Sequence, residues 1–374
     1  CLVGSEMCIR DSWLPDPYIF VVILTLLVMI AAMAIEGHGP MAVVGMWGAG
    51  FWELLSFAMQ MLLVLVTGYM MASTPLVRRG LERLADLAGS PGTAILLVSF
   101  VSLAASWINW GFGLVVGALF AKAIARKVRV DYRLLVASAY SGFIVWHGGL
   151  AGSVPLAIAT AGHPFEGAIG VIATDRTIFA AYNLFIVIAL FIAVPLVNRM
   201  MMPRPGEEVF VDPKLLAEPE VADTPGTTPA ERMENSRVLS WLIGAAGVAW
   251  LVQYFAGSGT LTLNVVNFLF LIVAIILHGT PRRLLASLNE GVKGGAGIVI
   301  QFPFYAGIMA IMLNSGLAET ISVWLTSFAT EKSFAFWTFM SAGLVNFFVP
   351  SGGGQWAIQA PVILSLIHIS EPTR

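Results

Sequence analysis

The chain of 374 residues is 58% hydrophobic and only 11% charged, with a mean hydropathy of +0.84, far from the balance of a soluble domain. A net charge of −2 leaves no basic stripe for a phosphate backbone and excludes nucleic acid as a partner. What remains is an all-α polytopic membrane protein whose first partner is the lipid bilayer.

In chain order, the two ends are set aside first. Leu2 to Ser12 (LVGSEMCIRDS) and Leu364 to Arg374 (LSLIHISEPTR) can be encoded by one DNA word and its reverse complement, Glu-Met-Cys as GAG ATG TGT and His-Ile-Ser as CAC ATC TCC. Residues 1–12 and 364–374 therefore read as translated adaptor, and the authentic fragment is expected from about Trp13 to about Ile363, within a longer protein. Cys8 falls in the first tail and Cys1 is suspect, so cysteine chemistry drops out. His368 is set aside with them.

Apolar runs at 18–35, 52–72, 134–160, 178–198, 238–256, 264–278 and 294–315 have the lengths that bilayer spans need. Residues 199–237 differ: Pro203, Pro205, Pro213, Pro219, Pro225 and Pro229 lie among acidic residues, the composition of a solvated linker. This divides the chain into a first membrane repeat, 13–198, and a second, incomplete one, 238–363. Loops 78–92, 121–133, 199–237 and 279–293 hold sixteen Lys and Arg, against two (Arg176 and Lys332) in loops 36–50, 161–177, 257–263 and 316–333. By the positive-inside rule the first set is cytoplasmic.

The loops on either side of 93–120 both belong to that basic set, so a single span there is excluded. Two half-length arms, TAILLVSFVSLAAS and LVVGALFA, with WINWGFG (107–113) at the tip, make a re-entrant hairpin, a feature whose arms of ten to fourteen residues are roughly half a crossing. The same counting sends 294–315 outward and makes 334–363 a second hairpin, entering from the opposite face. That order is the signature of an inverted-topology repeat. A constant offset of 241 carries Pro40 onto Pro281, Gly50 onto Gly291, Gln60 onto Gln301 and Leu76 onto Leu317. Identity over that window is five positions in thirty-eight, so the element order carries the argument.

At a hairpin tip one helix ends with unpaired carbonyls and the next begins with unpaired amides and a positive dipole end, so a cation and an anion can be held side by side. Gly111 and Gly113 at the first tip, and Gly352, Gly353 and Gly354 at the second, would give a ligand backbone access. Asn109, Asn346, Ser351 and Gln355 add side-chain partners. The competing explanation is tight helix packing by the glycines and satisfaction of freed backbone by the asparagines. Gln60 and Gln301 are candidates for a second layer around the site, or for an interhelical hydrogen bond. Trp107, Trp110 and Trp356 could wall an acyl pocket or serve as packing.

WHGGLAGSVP (146–155) reads as an unwound span directed at the same centre, with His147 and Ser153 as further binding candidates. His147 could carry a proton, although a hydrogen-bonded structural histidine is the commoner case. No Lys or Arg interrupts the apolar runs, which suits a small carboxylate better than a multiply charged substrate. No cofactor is expected. A metal site is undetermined, the coupling ion is sodium or a proton, and assembly as a homo-oligomer stays open.

The stretches SWLPDPYIF, MWGAGFWELLSFAMQM, INWGFGLVVGALFAK, DPKLL, VQYF, IQFPFYAGI and NFFVPSGGGQWAIQAP closely resemble the short-chain fatty acid transporter family, the bacterial acetoacetate and butyrate permease type. The resemblance runs from Trp13 to Ile363 in order. It implies uptake of short-chain fatty acids across the inner membrane and membership of the broad ion-transporter superfamily with paired hairpins. It also implies further membrane segments beyond QAP, so that half of the second repeat is missing.

The expected function is therefore a secondary transporter for a short-chain monocarboxylate, working by alternating access and driven by a cation gradient. No nucleotide-binding loop appears. A polytopic membrane enzyme acting on a small acyl substrate, with His147 or His163 as base, is the alternative; it requires a clustered acid, base and nucleophile, and no such trio is found. A passive channel would show neither saturation nor counterflow.

Overall fold

The computed structural model describes residues 15–212, 216, 228–326, 333–349 and 351–370. Residues 1–14 and 371–374, which take in the expected first adaptor tail and the end of the second, and Pro213, Pro219, Pro225, most of DPKLL, Lys332 and Pro350 lie outside the described residues. Among those described, all regular structure is helical. The first repeat comprises α1 (Pro17–Glu36), α2 (Pro40–Gly50), α3 (Leu55–Ala72), α4 (Pro75–Ala85), α5 (Pro91–Ile108) and α6 (Trp110–Lys127). It continues through α7 (Tyr132–Ser141), a 3-10 stretch (Gly142–Gly148), α8 (Ser153–Ile158), the short α9 (Glu166–Ile169) and α10 (Ala181–Met200). The linker itself carries α11 (Pro229–Glu234), and from its end follow α12 (Arg237–Ala256), α13 (Leu263–His278) and α14 (Pro281–Lys293). The last four are α15 (Ala296–Asn314), α16 (Leu317–Thr326), α17 (Phe334–Phe348) and α18 (Gly352–Ser370).

Local chemistry explains the helix starts. Asp16, Thr74, Ser90 and Thr280 each place a side-chain oxygen on a first-turn amide, with proline following at the first helical position. This is the arrangement that satisfies orphan donors and presets φ. Seven helical stretches are long and apolar enough to cross a bilayer: Pro17–Glu36, Leu55–Ala72, Pro91–Ile108, Tyr132–Ile158, Ala181–Met200, Pro229–Ala256 and Ala296–Asn314. Along α10, Phe185, Ile188, Ile192 and Leu196 are exposed. Apolar surface of that extent is what hydrocarbon, not water, covers.

Four expected loops, 36–50, 78–92, 279–293 and 316–333, instead carry helices α2, α4, α14 and α16. The arginines of α4 mask its helical period in a span-length reading, yet Leu81 and Ala85 are buried on one face while Arg79 and Arg83 are exposed. The hairpin arms are also longer than ten to fourteen residues: α5 and α6 have 18 each, α17 has 15 and α18 has 19. Their polar outer turns, such as Ser90 to Gly92 and Lys122 to Lys127, were counted as loop. Helix α18 runs without interruption past Ile363.

The offset of 241 governs the helices far better than it governs residue identity. It carries the starts of α2, α3, α4, α5 and α6, at 40, 55, 75, 91 and 110, to within two residues of the starts of α14 to α18, at 281, 296, 317, 334 and 352. The chain forms two compact units, one of residues 1–61, 162–170 and 296–374, the other of 62–161 and 171–295. Each unit therefore combines the opening helices of one repeat with the closing helices of the other. Equivalent contacts recur inside each. In the first unit a Cβ on Gly50 would collide with Ala310; in the second, Gly291 packs on Tyr69, and position 69 is the repeat equivalent of 310. His38 Nε2 donates to the Ser315 carbonyl at 3.0 Å in the first unit, and His278 Nε2 to the Met70 carbonyl at 2.8 Å in the second.

Part of the linker is docked rather than solvated. In the second unit Asp131, 4% exposed, caps α7 through Leu134 N–H at 2.8 Å, accepts the Val209 N–H at 2.7 Å and pairs with Arg133 at 3.1 Å. Tyr132 N–H returns a bond to the Val209 carbonyl at 2.8 Å. Arg133 also reaches the Glu207 carbonyl, and Arg129 covers the Phe210 ring. Burial alone would raise the Asp131 carboxyl, but the Val209 and Leu134 amides and the Arg133 guanidinium outweigh it and hold it below the ordinary carboxylate value.

A carboxylate with a depressed folded-state pKa contributes stability that is complete above its unfolded value, about 3.9, and is lost as pH falls through the folded value. Asp131→Ala should cost on the order of 2 kcal/mol near neutral pH and flatten the acid side of the stability profile. Asp131→Asn, which still caps the helix, should cost less. Thermal unfolding in detergent across pH checks both; wild-type behaviour in Asp131→Ala would rule the docking role out.

Candidate functional site

The first hairpin tip turns on Asn109, which is fully buried and extended, with φ −158° and ψ 128°. Its N–H closes α5 on the Ala105 carbonyl at 3.0 Å, its Oδ1 opens α6 by accepting the Phe112 N–H at 2.9 Å, and its Nδ2 donates to the Val64 carbonyl at 3.4 Å. One residue thus satisfies backbone at both ends of the turn. The glycines of the tip allow contact with neighbouring backbone. A Cβ on Gly111 would lie 2.7 Å from the Leu65 Cα, one on Gly113 would collide with Ser106, and one on Gly68 would lie 2.5 Å from both Asn109 Oδ1 and Phe112 N. Here the packing explanation accounts for the glycines and the capping explanation for Asn109.

The broken span completes this tip. Residues 142–148 form a 3-10 helix and 149–152 a turn, as expected for WHGGLAGSVP. Leu150 N–H donates to the Trp107 carbonyl at 2.7 Å, supplying a partner at the carboxyl end of α5. A Cβ on Gly149 would collide with that carbonyl. Asn183 Nδ2 bridges the Gly148 and Ile178 carbonyls at 3.0 and 2.7 Å. Trp110 sits edge-on to Trp146 and Phe143, with centroids 5.6 and 6.4 Å away. The indole N–H groups of Trp107 and Trp110 are buried with no hydrogen-bond partner. His147 is exposed beside Trp146, whereas Ser153 is buried at the start of α8.

The second tip, in the other unit, is built differently. α17 ends at Val349, Ser351 N–H bonds the Val349 carbonyl at 2.7 Å, and α18 opens with Gln355 N–H on the Ser351 carbonyl at 2.7 Å. Ser351 Oγ accepts the Gly354 N–H at 3.4 Å. Gly352, Gly353 and Gly354 are buried, and side chains there would strike Phe57 at 2.7 Å from Gly353 and Tyr305 at 2.5 Å from Gly354. Gln355 Nε2 donates to the Ala342 carbonyl at 2.9 Å and to Gln359 Oε1 at 3.2 Å, and Gln359 reaches Ser341 at 2.9 Å. These bonds join α17 and α18 along the hairpin.

Asn346, expected as a side-chain partner at the second tip, is exposed and lies in the last turn of α17. The repeat register carries Asn109 onto Pro350, and it carries Gly111 and Gly113 onto Gly352 and Gly354. The glycines are the true counterparts. Gln60 is half-buried, and Gln301 accepts the Tyr305 hydroxyl from within its own helix at 3.3 Å. Trp356 packs edge-on against Phe165 at 5.7 Å. His163 is buried, donating from Nε2 to the Gly170 carbonyl at 3.0 Å and accepting the Phe165 N–H on Nδ1 at 3.3 Å, which fixes the ring in a loop. Sequence reasoning missed Asn183 and Asn198, although an asparagine within an apolar run is itself a signal of bundle-facing polar contact. Asn198 joins Ser99 and Ser141 at 2.9 and 2.8 Å. Among the described residues no group of three or more His, Cys, Asp or Glu could hold a metal ion.

Helices of span length, two helical hairpins and a broken span are features that secondary transporters share. In agreement, the chain is similar in fold to the YdaH transporter of Alcanivorax borkumensis, with a TM-score of 0.54 and 18% identity over 95% of this chain and 83% of that one. It is also similar to Neisseria gonorrhoeae MtrF, with a TM-score of 0.52 and 15% identity over 95% and 81%. The family model described as short chain fatty acid transporter matches residues 2–368. Two proteins carrying that family's name are 45% identical, from Escherichia coli (strain K12), and 44% identical, from Haemophilus influenzae, each over 95% of this chain and 82% of its own length. The chain belongs to the short-chain fatty acid transporter family, and it is a transporter rather than an enzyme.

Gly149→Ala should be among the most disruptive single methyl additions, because a backbone carbonyl, not a flexible side chain, occupies the space. Asn109→Ala should cost about 1 kcal/mol or more through the lost cap. Detergent unfolding temperatures test both; an unchanged Gly149→Ala midpoint would contradict the tip packing.

Proposed function

We propose that the protein imports a short-chain monocarboxylate of the acetoacetate and butyrate class across the bacterial inner membrane, coupled to sodium or protons. Family membership carries the reading, and the apolar runs agree with it: with no Lys or Arg inside them, an anion would be held by helix starts and neutral donors. A monocarboxylate suits such a site. The proposed ligand groups are the α6 and α18 starts, the Asn109 and Ser351 caps, Gln355, and the layer of Gln60 and Gln301. His147 and Ser153 would line the broken span.

The basic loops are assigned to the cytoplasm. On that assignment the hairpins enter from opposite faces of an inverted repeat, which the matched helix starts support. From Lys122 back to Trp110 is about 18 Å of helix, short of a hydrocarbon core of about 30 Å, so the first tip would stop inside the bilayer. Neither tip has a carboxylate, which favours sodium held by carbonyl oxygens; His147 keeps a proton route open. MtrF is described as illuminating a class of antimetabolite efflux pumps, so direction is to be measured both ways.

In proteoliposomes, an inward sodium gradient should drive saturable accumulation of labelled butyrate, with counterflow. Asn346→Ala, at an exposed position, should leave insertion and unfolding temperature intact; full uptake by it would remove Asn346 from the site. If neither a sodium nor a proton gradient drives uptake of any short-chain acid, the transport assignment fails.

A further inference from the structure

The second unit contains a cavity of about 780 Å³ bounded by α3, α4, α6, α13 and α14, within the range of about 300–1,000 Å³ typical of small-molecule sites. Three of the four basic loops meet there. Arg78, Arg126 and Arg283 line it, together with Glu82 and Glu290. Glu82 lies 3.8 Å from Arg126, and Glu290 is bonded to Lys293 at 2.6 Å. The charges of Arg78 and Arg283 both act on His278, whose ring is fixed on the Met70 carbonyl. Leu81, Leu119 and Ala286 add apolar wall.

We propose that this cavity is a docking vestibule for the carboxylate of the short-chain acid on the basic-loop face, with Arg78 and Arg283 as its principal anchors. The identity of the acid rests on the function proposed above. Three guanidiniums against two carboxylates leave one net positive charge among the lining side chains, which matches a monoanion. Guanidinium also fits a carboxylate with two parallel hydrogen bonds. The repeat provides an internal control on whether the fold itself requires these arginines. At the register of 241, Arg78 corresponds to Glu319 and Arg283 to Ala42, so the second copy of the same helix arrangement forms without them. A cavity of about 150 Å³ among the closing helices of the other unit is lined chiefly by apolar residues such as Met312, Phe334 and Val362. The arginines are therefore not demanded by the helix arrangement itself, and an anion arriving at the basic loops would meet them.

The test is butyrate counterflow in oriented proteoliposomes, comparing wild type with the Arg78→Gln/Arg283→Gln pair and the Arg78→Lys/Arg283→Lys pair. The glutamine pair should raise the apparent KM from the basic-loop face about tenfold, the loss expected for a charge-assisted hydrogen bond, and more than from the opposite face. The lysine pair should recover part of it. Equal KM values from both faces overturn the proposal. Binding of ¹³C-butyrate to detergent-solubilised wild type and glutamine pair, followed by NMR, serves as the second arm and does not depend on transport. If wild type moves no butyrate but binds it through these arginines, the functional reading fails and the vestibule stands. Unchanged butyrate binding, combined with loss of co-purifying phosphatidylglycerol in the glutamine pair, would make this a lipid headgroup site and overturn the proposal.

Discussion

Inside hydrocarbon no water is available to a broken helix, so every freed backbone group must find a partner within the protein. The second unit shows how much structure that single constraint commits. Breaking the chain at Asn109 requires an acceptor for the Phe112 amide, supplied by the asparagine's own side chain. The Trp107 carbonyl takes the Leu150 amide, which requires the next span to unwind as well. Unwinding that span frees the Gly148 carbonyl, which Asn183 takes up from α10. One break propagates through three segments, and the glycines at 111, 113 and 149 are what let these backbones approach closely enough to bond.

The same requirement is met in the second hairpin with different residues, and the difference bears on mechanism. The first tip is locked by a buried cap whose amide contacts backbone on both sides. The second relies on Ser351, with a longer cap bond of 3.4 Å, and on a ladder of Gln355, Gln359 and Ser341 between its arms. A serine cap leaves its hydroxyl hydrogen free to rotate toward another acceptor, whereas the Asn109 amide is committed on both its oxygen and its nitrogen. Of the two tips, the second keeps the donor that can change partners.

How much of this could be read from sequence varies with length scale. The long spans were legible because an apolar run of bilayer length has few other uses, and their starts because Thr-Pro and Ser-Pro pairs fix both φ and the first donor. Helices α4 and α14 were not, because their arginines lower the mean hydropathy that reveals a span while their apolar period covers only three turns. Asn109 stands out in the sequence, yet Val64, which accepts from its amide, and Leu150, which bonds the neighbouring Trp107 carbonyl, lie tens of residues away and no local pattern predicts them. Asn346 was placed at the second tip by residue type alone. The helix register, which was invisible at five identities in thirty-eight, shows that its position corresponds to the body of α5 instead.

The repeat also separates what the fold needs from what function has added. Positions that keep their character at an offset of 241, such as Gly50 with Gly291 and Gly113 with Gly354, are those where a methyl group would press on a neighbouring helix. Positions that diverge most sharply are charged: Arg78 against Glu319, Arg283 against Ala42. Close helix approach is dictated by geometry, which both copies share. Charge is dictated by what surrounds each helix, and that is not shared between the copies. The two sets of helices can therefore keep their glycines in register while their charged positions diverge.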